Sequence, residues 1–220
     1  MLGSEINLMK NYPRSQRDLT LRAQQKTEED RKIAREFGEA FFDGSRSHGY
    51  GGFSYNSRFW QPVIPDFVSR YNINTQSSIL DIGCAKGFML HDFAQLIPGI
   101  TVKGIDISHY AIENAIDDMK PYCEVACATK LPFPDKSFDV VVSITTLHNL
   151  DRDNLAVALQ EIERVKRKYS FITVDAYHND EERQRMDAWN LTAKTVMHVD
   201  EWKLFFHEVG YTGDFYWFIP

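Results

Sequence analysis

The sequence predicts a doubly wound α/β fold, with a mainly parallel sheet of about six or seven strands and helices on both faces. Short apolar runs alternate with amphipathic stretches over most of the chain, and such alternation forms right-handed crossovers and a covered parallel sheet. Residues 138–144 are rich in β-branched side chains, as in a strand buried on both faces. A length of 220 residues with 43% apolar side chains suffices for one well-buried domain.

The overall charge and the cysteines restrict the class of protein. A formal charge of −6 and a pI near 5.6 disfavour nucleic acid as the main partner, so a small-molecule acceptor or a carrier-bound one fits better. Cys84, Cys123 and Cys127 lack metal-ligand spacing, and no compact acidic or histidine cluster supports a metal site. The first five residues do not begin a signal peptide, and no apolar run approaches the roughly 20 residues that span a bilayer. We therefore expect a cytoplasmic protein without a membrane span, and the sequence leaves its oligomeric state open.

Residues 1–75 are expected to form an N-terminal helical and aromatic segment, and residues 76–220 the domain that holds the sheet. Residues 19–42 have helical periodicity, with Thr27 and Asp30 as a capping box and Gly44 as a stop. The residues before this helix, which include Pro13, are either a loose tail or a partner-binding arm.

Residues 46–60 combine three glycines, five aromatic side chains and two arginines. One interpretation is a glycine-rich loop whose rings pack on the body of the protein. The other, which we favour, is a lid over a pocket, because mobile backbone and amphipathic rings suit closure. In that case the rings exclude water, and Arg46 or Arg58 is expected to meet a carboxylate of the bound ligand.

The remaining elements follow from periodicity and turn residues. Pro62 begins a short helix that ends near Asn72, and Ser108 caps a helix over residues 111–119. Asp200 is expected to cap a helix over residues 202–209. Further helices are predicted over residues 88–96, 155–165 and 180–189. Strands are predicted near residues 77–82 and over residues 101–105, 123–128, 138–144, 169–174, 195–199 and 214–218.

The first strand of the sheet runs into a turn that contains glycine. Asp81 is followed by Gly83 and Gly87, and a helix comes next. Glycine tolerates positive φ and lets a ligand approach backbone N–H groups, so this turn is the expected cofactor site. A second carboxylate, Asp106, ends the next strand, where an acidic residue receives ribose hydroxyls in doubly wound folds.

A dinucleotide-binding fingerprint does not fit this turn. The pattern G-x-G-x-x-G needs a second glycine where the chain has Ala85. The next glycine, Gly87, also comes at the wrong distance from Gly83. The spacing therefore disfavours a nicotinamide-dependent oxidoreductase.

Residues 79–175 resemble the class I S-adenosylmethionine-dependent methyltransferases. The segment from Asp81 to Gly87 is similar to their D-x-G-x-G-x-G motif, and Asp106 matches the acidic end of their second strand. Residues 131–139 look like the L-P-F-x-D-x-S-F-D segment that leads into their fourth strand. Ala85 replaces the middle glycine, which is tolerable if position 85 does not need positive φ.

The resemblance implies a class I methyltransferase fold with S-adenosylmethionine as cofactor. It also implies that Asp106 binds the ribose hydroxyls, that adenine lies beside residues 128–131, and that the aromatic segment closes over the cofactor. The expected cofactor-binding residues are Tyr50, Arg58, Asp81, Gly83, Cys84, Ala85, Gly87, Asp106, Ile107, Ala128, Thr129, Lys130 and Thr145.

Three residues at strand ends are the expected catalytic residues. Methyl transfer from a sulfonium needs an acceptor held in line with the methyl group, and a base where the acceptor must lose a proton. His148 follows the fourth strand, where acceptor and methyl group meet in the resembled family; the alternative is a histidine that caps a helix or packs a loop. Asp175 and His178 leave the fifth strand at the same edge.

Two functions fit these residues. The first is methyl transfer to an oxygen or nitrogen of a small molecule. Residues 189–194 and 210–218 resemble a bacterial subgroup associated with sugar and surface-polysaccharide precursors. The second is a non-catalytic S-adenosylmethionine-binding module that acts through a protein partner.

Overall fold

The computed structural model describes residues 3–13 and 27–220. The strands are β1 (Ser78–Ile82), β2 (Thr101–Asp106), β3 (Cys123–Val125), β4 (Phe138–Ile144), β5 (Lys166–Tyr177), β6 (Met197–His198) and β7 (Asp214–Phe218). They form one seven-stranded sheet in the order β3-β2-β1-β4-β5, and β5 then pairs with both β6 and β7. All of these pairs are parallel, which confirms the predicted doubly wound α/β sheet.

Helices connect the strands and cover the sheet. In the described part of the chain they are α1 (Glu28–Ala34), α2 (Glu39–Phe42), α3 (Ile64–Tyr71), α4 (Phe88–Leu96), α5 (His109–Glu113), α6 (Arg152–Val165), α7 (Asp180–Trp189) and α8 (Val199–Glu208). Single 3₁₀ turns cover Lys120–Tyr122 and Leu147–Asn149. None of the helices in residues 3–13 and 27–220 has the length and apolar character that crossing a membrane requires.

Two separate apolar clusters pack on the two faces of the sheet. One contains Trp202 of α8 together with Val141 of β4. The other contains Phe67 of α3 together with Val140 and Val142. Successive side chains of a strand point to opposite faces, so β4 is buried on both sides. This explains why its sequence is apolar almost throughout rather than alternating.

Parallel pairing brings the carboxyl ends of the strands to one edge of the sheet, which we call the carboxyl edge. Residues that follow β1, β2 and β3 form its glycine-loop half, which comprises residues 83–87, 106–110 and 126–131. Residues that follow β4 and β5 form its β4–β5 half, which comprises residues 145–148 and 175–178. The opposite side, where the strands begin, is the amino edge.

The predicted single helix over residues 19–42 is wrong where it can be compared. Residues 19–26 lie outside the described residues. The remainder forms α1 and α2, which are separated because Phe37 adopts φ +49 and Gly38 is extended. Thr27 and Asp30 do form the predicted capping box at the start of α1.

Residues 3–13 pack against the body of the protein. Glu5 forms a parallel bridge with Phe215 of β7, and the N–H of Ile6 donates to the carbonyl of Phe215 at 3.0 Å. Leu8 is buried in the same cluster as α3. A loose tail is therefore the wrong interpretation for these residues.

Three further helix boundaries differ from the predictions. The helix that Ser108 caps ends at Glu113, because the N–H of Ile116 donates to the carbonyl of Lys86 instead of continuing the helix. The N-cap of α8 is His198 rather than Asp200, since the His198 ring accepts the Asp200 N–H. The proline in the first turn of α3 is the one at position 65, after a start at Ile64.

Candidate active site

The turn after β1 is packed too tightly for a side chain at its first glycine. Gly83 has φ +84, and a Cβ built there would lie 2.2 Å from Oγ1 of Thr146. Its N–H donates to the carbonyl of Ile105 at 2.8 Å, which ties the turn to β2. Cys84 turns its side chain into the apolar cluster around α3, so this residue offers a ligand only backbone. Gly87, with φ +76, is the N-cap of α4.

Ala85 adopts φ +49, so the assumption that position 85 does not need positive φ is wrong. The N–H of Ala85 donates to Oδ2 of Asp106 at 2.8 Å, and this hydrogen bond holds the residue in the left-handed region. That conformation costs an L-residue about 1–2 kcal/mol. The glycine-loop half therefore contains backbone strain at the position where the family motif has glycine.

Asp106 is held at the end of β2 by the backbone of both adjoining turns. Its Oδ1 accepts the N–H of Ser108 at 2.8 Å, while Oδ2 accepts the N–H of Ala85. Burial raises the pKa of Asp106, and the N–H groups of Ser108, Ala85 and Ile107 oppose that shift. A carboxylate has about four acceptor sites, so each oxygen can still accept one ligand hydroxyl. Ile107 beside it is 56% exposed and supplies apolar surface.

Asp81 lies at the end of β1 and is 4% exposed. Burial, followed by repulsion from Asp106, raises the pKa of Asp81 to about 8. The side chain is therefore mainly protonated at neutral pH, and it can donate a hydrogen bond. Two acidic residues at neighbouring strand ends thus differ in role, one as acceptor and one as donor.

The predicted lid segment is tied to the glycine loop by an ion pair that sequence analysis missed. Nζ of Lys86 lies 2.6 Å from Oδ2 of Asp43, and the hydroxyl of Tyr110 donates to the same oxygen at 2.7 Å. Oδ1 of Asp43 accepts the N–H of Phe53 at 2.8 Å. A lysine inside the glycine turn was the available signal, but its partner lies 43 positions away and no motif marks it.

The aromatic segment covers the first turn of α4. The ring of Phe53 stacks on Phe88 with centroids 5.0 Å apart, and the Tyr55 hydroxyl donates to buried Asp92 at 2.6 Å. Tyr50 packs on Phe53 at 4.4 Å. Both interpretations of this segment are compatible with these contacts, since packed rings are also what a closed lid requires.

The two arginines of the segment have partners within it. Nη1 of Arg46 donates to the carbonyl of Tyr50 at 2.6 Å. The guanidinium of Arg58 lies 4.8 Å from the centroid of the Phe59 ring, on the surface. Neither shows a contact with the glycine turn in the described residues, so their expected contact with a ligand carboxylate stays a prediction.

The predicted adenine turn, residues 128–131, lies beside Asp106. The N–H of Ala126 donates to the Asp106 carbonyl at 3.0 Å, and the turn begins two residues later. Thr129 Oγ1 lies 3.0 Å from Sγ of Cys127, while Lys130 is exposed and Leu131 is buried. Ala128 and Thr129 are half-buried, which leaves this turn accessible at the carboxyl edge.

The β4–β5 half begins with a strained residue and a buried pair. Thr145 has φ +48, and its N–H donates to Oγ1 of Thr173 at 2.8 Å. His148 follows, and its Nδ1 accepts the N–H of Asp175 at 3.1 Å. The side chains of His148 and Asp175 also approach each other, with Nδ1 and Oδ1 3.4 Å apart.

His148 and Asp175 are 4% and 5% exposed, and burial makes both neutral. It lowers the pKa of His148 to about 3 and raises the pKa of Asp175 to about 8. Because Nδ1 of His148 accepts a backbone N–H, the ring proton lies on Nε2, which is a donor. The pair links the turn after β4 to the end of β5.

His178 lies at the rim of the same half, with 49% of its side chain exposed. Its Nδ1 is 2.9 Å from Oε2 of Glu182, and its carbonyl accepts Nε2 of His198 at 2.9 Å. Within residues 3–13 and 27–220, Nε2 of His178 has no hydrogen-bond partner. Glu182 lies in the first turn of α7, four residues after His178. It is a site residue that sequence analysis missed, although this spacing is the available signal.

One protein family matches the part of the chain that forms most of this edge. Residues 80–174 match the family model of a methyltransferase domain, and this range runs from β1 to the end region of β5. This match supports the predicted resemblance of this part of the chain to the class I S-adenosylmethionine-dependent methyltransferases. That family uses S-adenosylmethionine as methyl donor, in agreement with the expected cofactor.

Individual relatives are similar to parts of the chain. A malonyl-[acyl-carrier protein] O-methyltransferase of Legionella pneumophila is 27% identical over 136 residues, which are 60% of this chain and 46% of that protein. A mitochondrial arginine hydroxylase of Rattus norvegicus is 37% identical over 90 residues, which are 39% of this chain and 24% of that protein. The chain thus spans less than half the length of these curated relatives.

A solved structure supports the fold. The YcgJ protein of Bacillus subtilis superposes with a TM-score of 0.53 at 20% identity, over 65% of each chain. Similarity at this level of identity concerns the methyltransferase fold alone.

The residues of the glycine-loop half fit S-adenosylmethionine. The oxygens of Asp106 keep acceptor capacity for two ribose hydroxyls, and Ile107 offers exposed apolar surface next to them. A Cβ at Gly83 would meet the Thr146 side chain, so the glycine lets the turn pack against the residues that follow β4. Among the described residues, no group of three His, Cys, Asp or Glu side chains is arranged to hold a metal ion.

Proposed function

We propose that this chain transfers the methyl group of S-adenosylmethionine to an oxygen or nitrogen of a small molecule. One observation carries the proposal: a glycine loop hydrogen-bonded to Asp106 lies on the same sheet edge as polar side chains that follow β4 and β5. Ligands of open parallel sheets bind outside the carboxyl ends of the strands. The similarity to an O-methyltransferase that acts on malonyl-acyl carrier protein supports an oxygen acceptor.

Positioning is the main contribution that we assign to the protein. The methyl group of a sulfonium is already activated, so an acceptor held in line can react once it has a lone pair. In our proposal Asp106 fixes the ribose and the turn at residues 128–131 contacts the adenine. Tyr50 and the other rings of the lid segment exclude water.

His178 is the best placed of the three expected catalytic residues to act as a base. Nδ1–H of His178 donates a hydrogen bond to the Glu182 carboxylate. The lone pair of the ring is therefore on Nε2, which can take a proton from the acceptor. Hydrogen bonds from His178 lower the pKa of Glu182, so its carboxylate is ionised at neutral pH. Proton transfer from an alcohol or ammonium acceptor to Nε2 then completes the reaction.

His148 and Asp175 are assigned positioning roles in this mechanism. Nδ1 of His148 is occupied by the Asp175 N–H, so His148 presents Nε2–H as a hydrogen-bond donor. A donor orients an acceptor oxygen but takes no proton from it. Asp175 holds the ring in place from the end of β5.

A second candidate function is a non-catalytic S-adenosylmethionine-binding module that acts through a protein partner. The neutral, buried state of His148 and Asp175 favours it, because neither group can serve as a base without rearrangement. The similarity to an arginine hydroxylase adds to this, since the matching segment also occurs in a protein named for another reaction.

Formation of S-adenosylhomocysteine distinguishes the two candidates. Radiolabelled S-adenosylmethionine is incubated with nucleotide sugars, which represent polysaccharide precursors, and with amines, phenols and carboxylic acids. Methyl transfer to one class that Asp106→Asn reduces, with Asp118→Asn as the surface control, supports the enzyme. Cofactor binding without transfer to any class supports the silent module. We place this activity in the cytoplasm, where the three free cysteines are consistent with a reducing environment.

Limited proteolysis tests the lid separately. We propose that the cofactor strengthens the contacts of the segment that Asp43 and Lys86 tie to the glycine loop. Cutting between Arg46 and Arg58 should then slow when S-adenosylhomocysteine is added. Arg58→Ala should weaken cofactor binding more than it lowers the thermal midpoint. Equal cutting rates with and without saturating ligand would leave only the packing interpretation.

A further inference from the structure

Two adjoining cavities lie at the amino edge of the sheet, away from the glycine loop. The first has a volume of about 440 Å³ and the second about 340 Å³. Both are lined by Tyr71, Lys168 and Tyr169, so they meet at the start of β5. These volumes are in the range of small-molecule sites. Neither cavity is lined by a residue of the carboxyl edge.

The first cavity has an excess of positive charge at its wall. Arg167 and Lys168 both contact the same atom, Oδ1 of Asp139, at 3.0 Å each. The other oxygen of Asp139 accepts the N–H and the hydroxyl of Ser78. One carboxylate therefore faces two cations, in a chain whose formal charge is −6.

Lys168 has the greater capacity for a further anion. In the described part of the chain its ammonium group contacts one acceptor, Oδ1 of Asp139, although it has three N–H donors. Arg167 also donates to the carbonyls of Lys136 and Ser137, which fixes its guanidinium plane at the cavity wall. A guanidinium held in one plane next to an ammonium with further N–H donors is a suitable pair for a phosphate group.

A tyrosine ring stands at the boundary of the two cavities. Tyr169 stacks on Tyr71 with centroids 5.2 Å apart and an angle of 29° between the planes. Tyr169 is nevertheless 45% exposed, so part of its ring remains open to a ligand. Aromatic rings stack on planar groups in offset geometry. Asn72, Asn74 and Gln76 add amide groups to the same wall.

We propose that the first cavity is a second ligand site, which binds a nucleoside phosphate. Arg167 and Lys168 hold the phosphate, and Tyr169 stacks on the planar base. The site shares no residue with the carboxyl edge, so it does not depend on the proposed methyl transfer. A ligand there contacts the first residues of β4 and β5, the two strands whose opposite ends carry the β4–β5 half.

Calorimetric titration with uridine monophosphate tests the site. Uridine and inorganic phosphate are titrated as the two components, and saturating S-adenosylhomocysteine is present so that the glycine-loop half of the carboxyl edge is occupied. We expect uridine monophosphate to bind more tightly than either component. Lys168→Met should weaken that binding by about tenfold through loss of a charge-assisted hydrogen bond, whereas Lys168→Arg should retain it. Lys168→Met is expected to fold, because Arg167 still pairs with Asp139.

Two controls separate charge from stacking. Lys120→Met removes an exposed lysine that also pairs with one aspartate, at 2.9 Å, and should leave the affinity unchanged. Tyr169→Ser should weaken binding of uridine monophosphate and leave that of inorganic phosphate unaltered. Equal affinity of the wild type and folded Lys168→Met for uridine monophosphate would overturn the site. Equal affinity of the wild type for uridine monophosphate and inorganic phosphate would overturn the stacking on Tyr169.

Discussion

The two halves of the carboxyl edge are built by different means. In the glycine-loop half the contacts that hold Asp106 and the turn come from backbone: the N–H groups of Ala85 and Ser108 hold Asp106, and the N–H of Gly83 holds the turn against β2. In the β4–β5 half they come from side chains, with His148 accepting the Asp175 N–H and Glu182 facing His178.

Because of this difference, the two halves should respond differently to substitutions and to pH. Backbone contacts depend on φ angles and on the absence of a Cβ, so substitutions that change chain conformation should damage the first half. Side-chain contacts depend on chemical identity and protonation, so the second half should respond to removal of a proton acceptor and to pH. The following predictions use these contrasts.

The largest effect is expected for His178→Gln. Glutamine can still hydrogen-bond to Glu182 but cannot take a proton from the acceptor, so kcat should fall by about 10²- to 10⁴-fold. The affinity for S-adenosylhomocysteine should not change. His207→Gln on α8 is the matched control and should keep full activity. Steady-state kinetics with the best acceptor of the screen provides the measurement, and an unchanged kcat would remove the base from the mechanism.

Gly83→Ala should destabilise the protein by about 2–4 kcal/mol, because the new Cβ meets Thr146 at 2.2 Å and the residue has φ +84. Gly210→Ala separates these two causes, since Gly210 has φ +75 but no atom within 4 Å of a Cβ. That variant should lose only about 1 kcal/mol. Urea unfolding of both variants gives the difference, and equal losses would show that the close approach to Thr146 is unimportant.

Asp175→Asn tests the protonation of the second half. Burial raises the pKa of Asp175 from 3.8 to about 8, so between these pH values the unfolded chain is ionised while the folded protein keeps its proton. Stability therefore falls as pH rises through this window. Asparagine does not titrate, and the variant should gain about 1–3 kcal/mol relative to wild type between pH 5 and pH 8. Urea unfolding at both pH values measures the gain. A difference that does not vary with pH would contradict the buried neutral state, and Asp153→Asn serves as an exposed control.

The smallest effect is expected for Ala85→Gly. Glycine accommodates φ +49 without a clash, and the loss of strain exceeds the entropy cost of glycine by up to about 1 kcal/mol. The thermal midpoint should rise slightly while the affinity for S-adenosylhomocysteine is retained. A lower midpoint would show that the hydrogen bond to Asp106 relieves the strain completely.

Local patterns in the sequence were sufficient to predict the bounds of an element where the signals for its start and end lie within or next to it. The apolar run of Phe138–Ile144 and the charged helix Asp180–Trp189 have the predicted bounds, because burial on both faces and an N-cap at Asn179 leave local signals. The break at Phe37 was not predicted, since it depends on tertiary contacts such as the Ser108 hydroxyl that donates to the Phe37 carbonyl.

In the candidate site, too, local features could be predicted and contacts between distant residues could not. The positions of Asp81, Gly83 and Asp106 at the ends of β1 and β2 could be predicted, because strand ends and glycine spacing are local features. The partners of Lys86, His148 and Tyr55 lie 43, 27 and 37 positions away, and no local pattern indicates them. The conformation of Ala85 was also missed, since alanine gives no signal of positive φ.

Calorimetric titration with S-adenosylhomocysteine tests the central claim that Asp106 and the glycine loop bind the cofactor. The wild type should bind one equivalent, and Asp106→Asn should weaken binding by about tenfold or more, because two ribose hydroxyls lose a charged acceptor. The surface variant Asp118→Asn should bind S-adenosylhomocysteine as tightly as the wild type does. Absence of binding to the wild type, or equal affinity of the wild type and a folded Asp106→Asn variant, would contradict the claim.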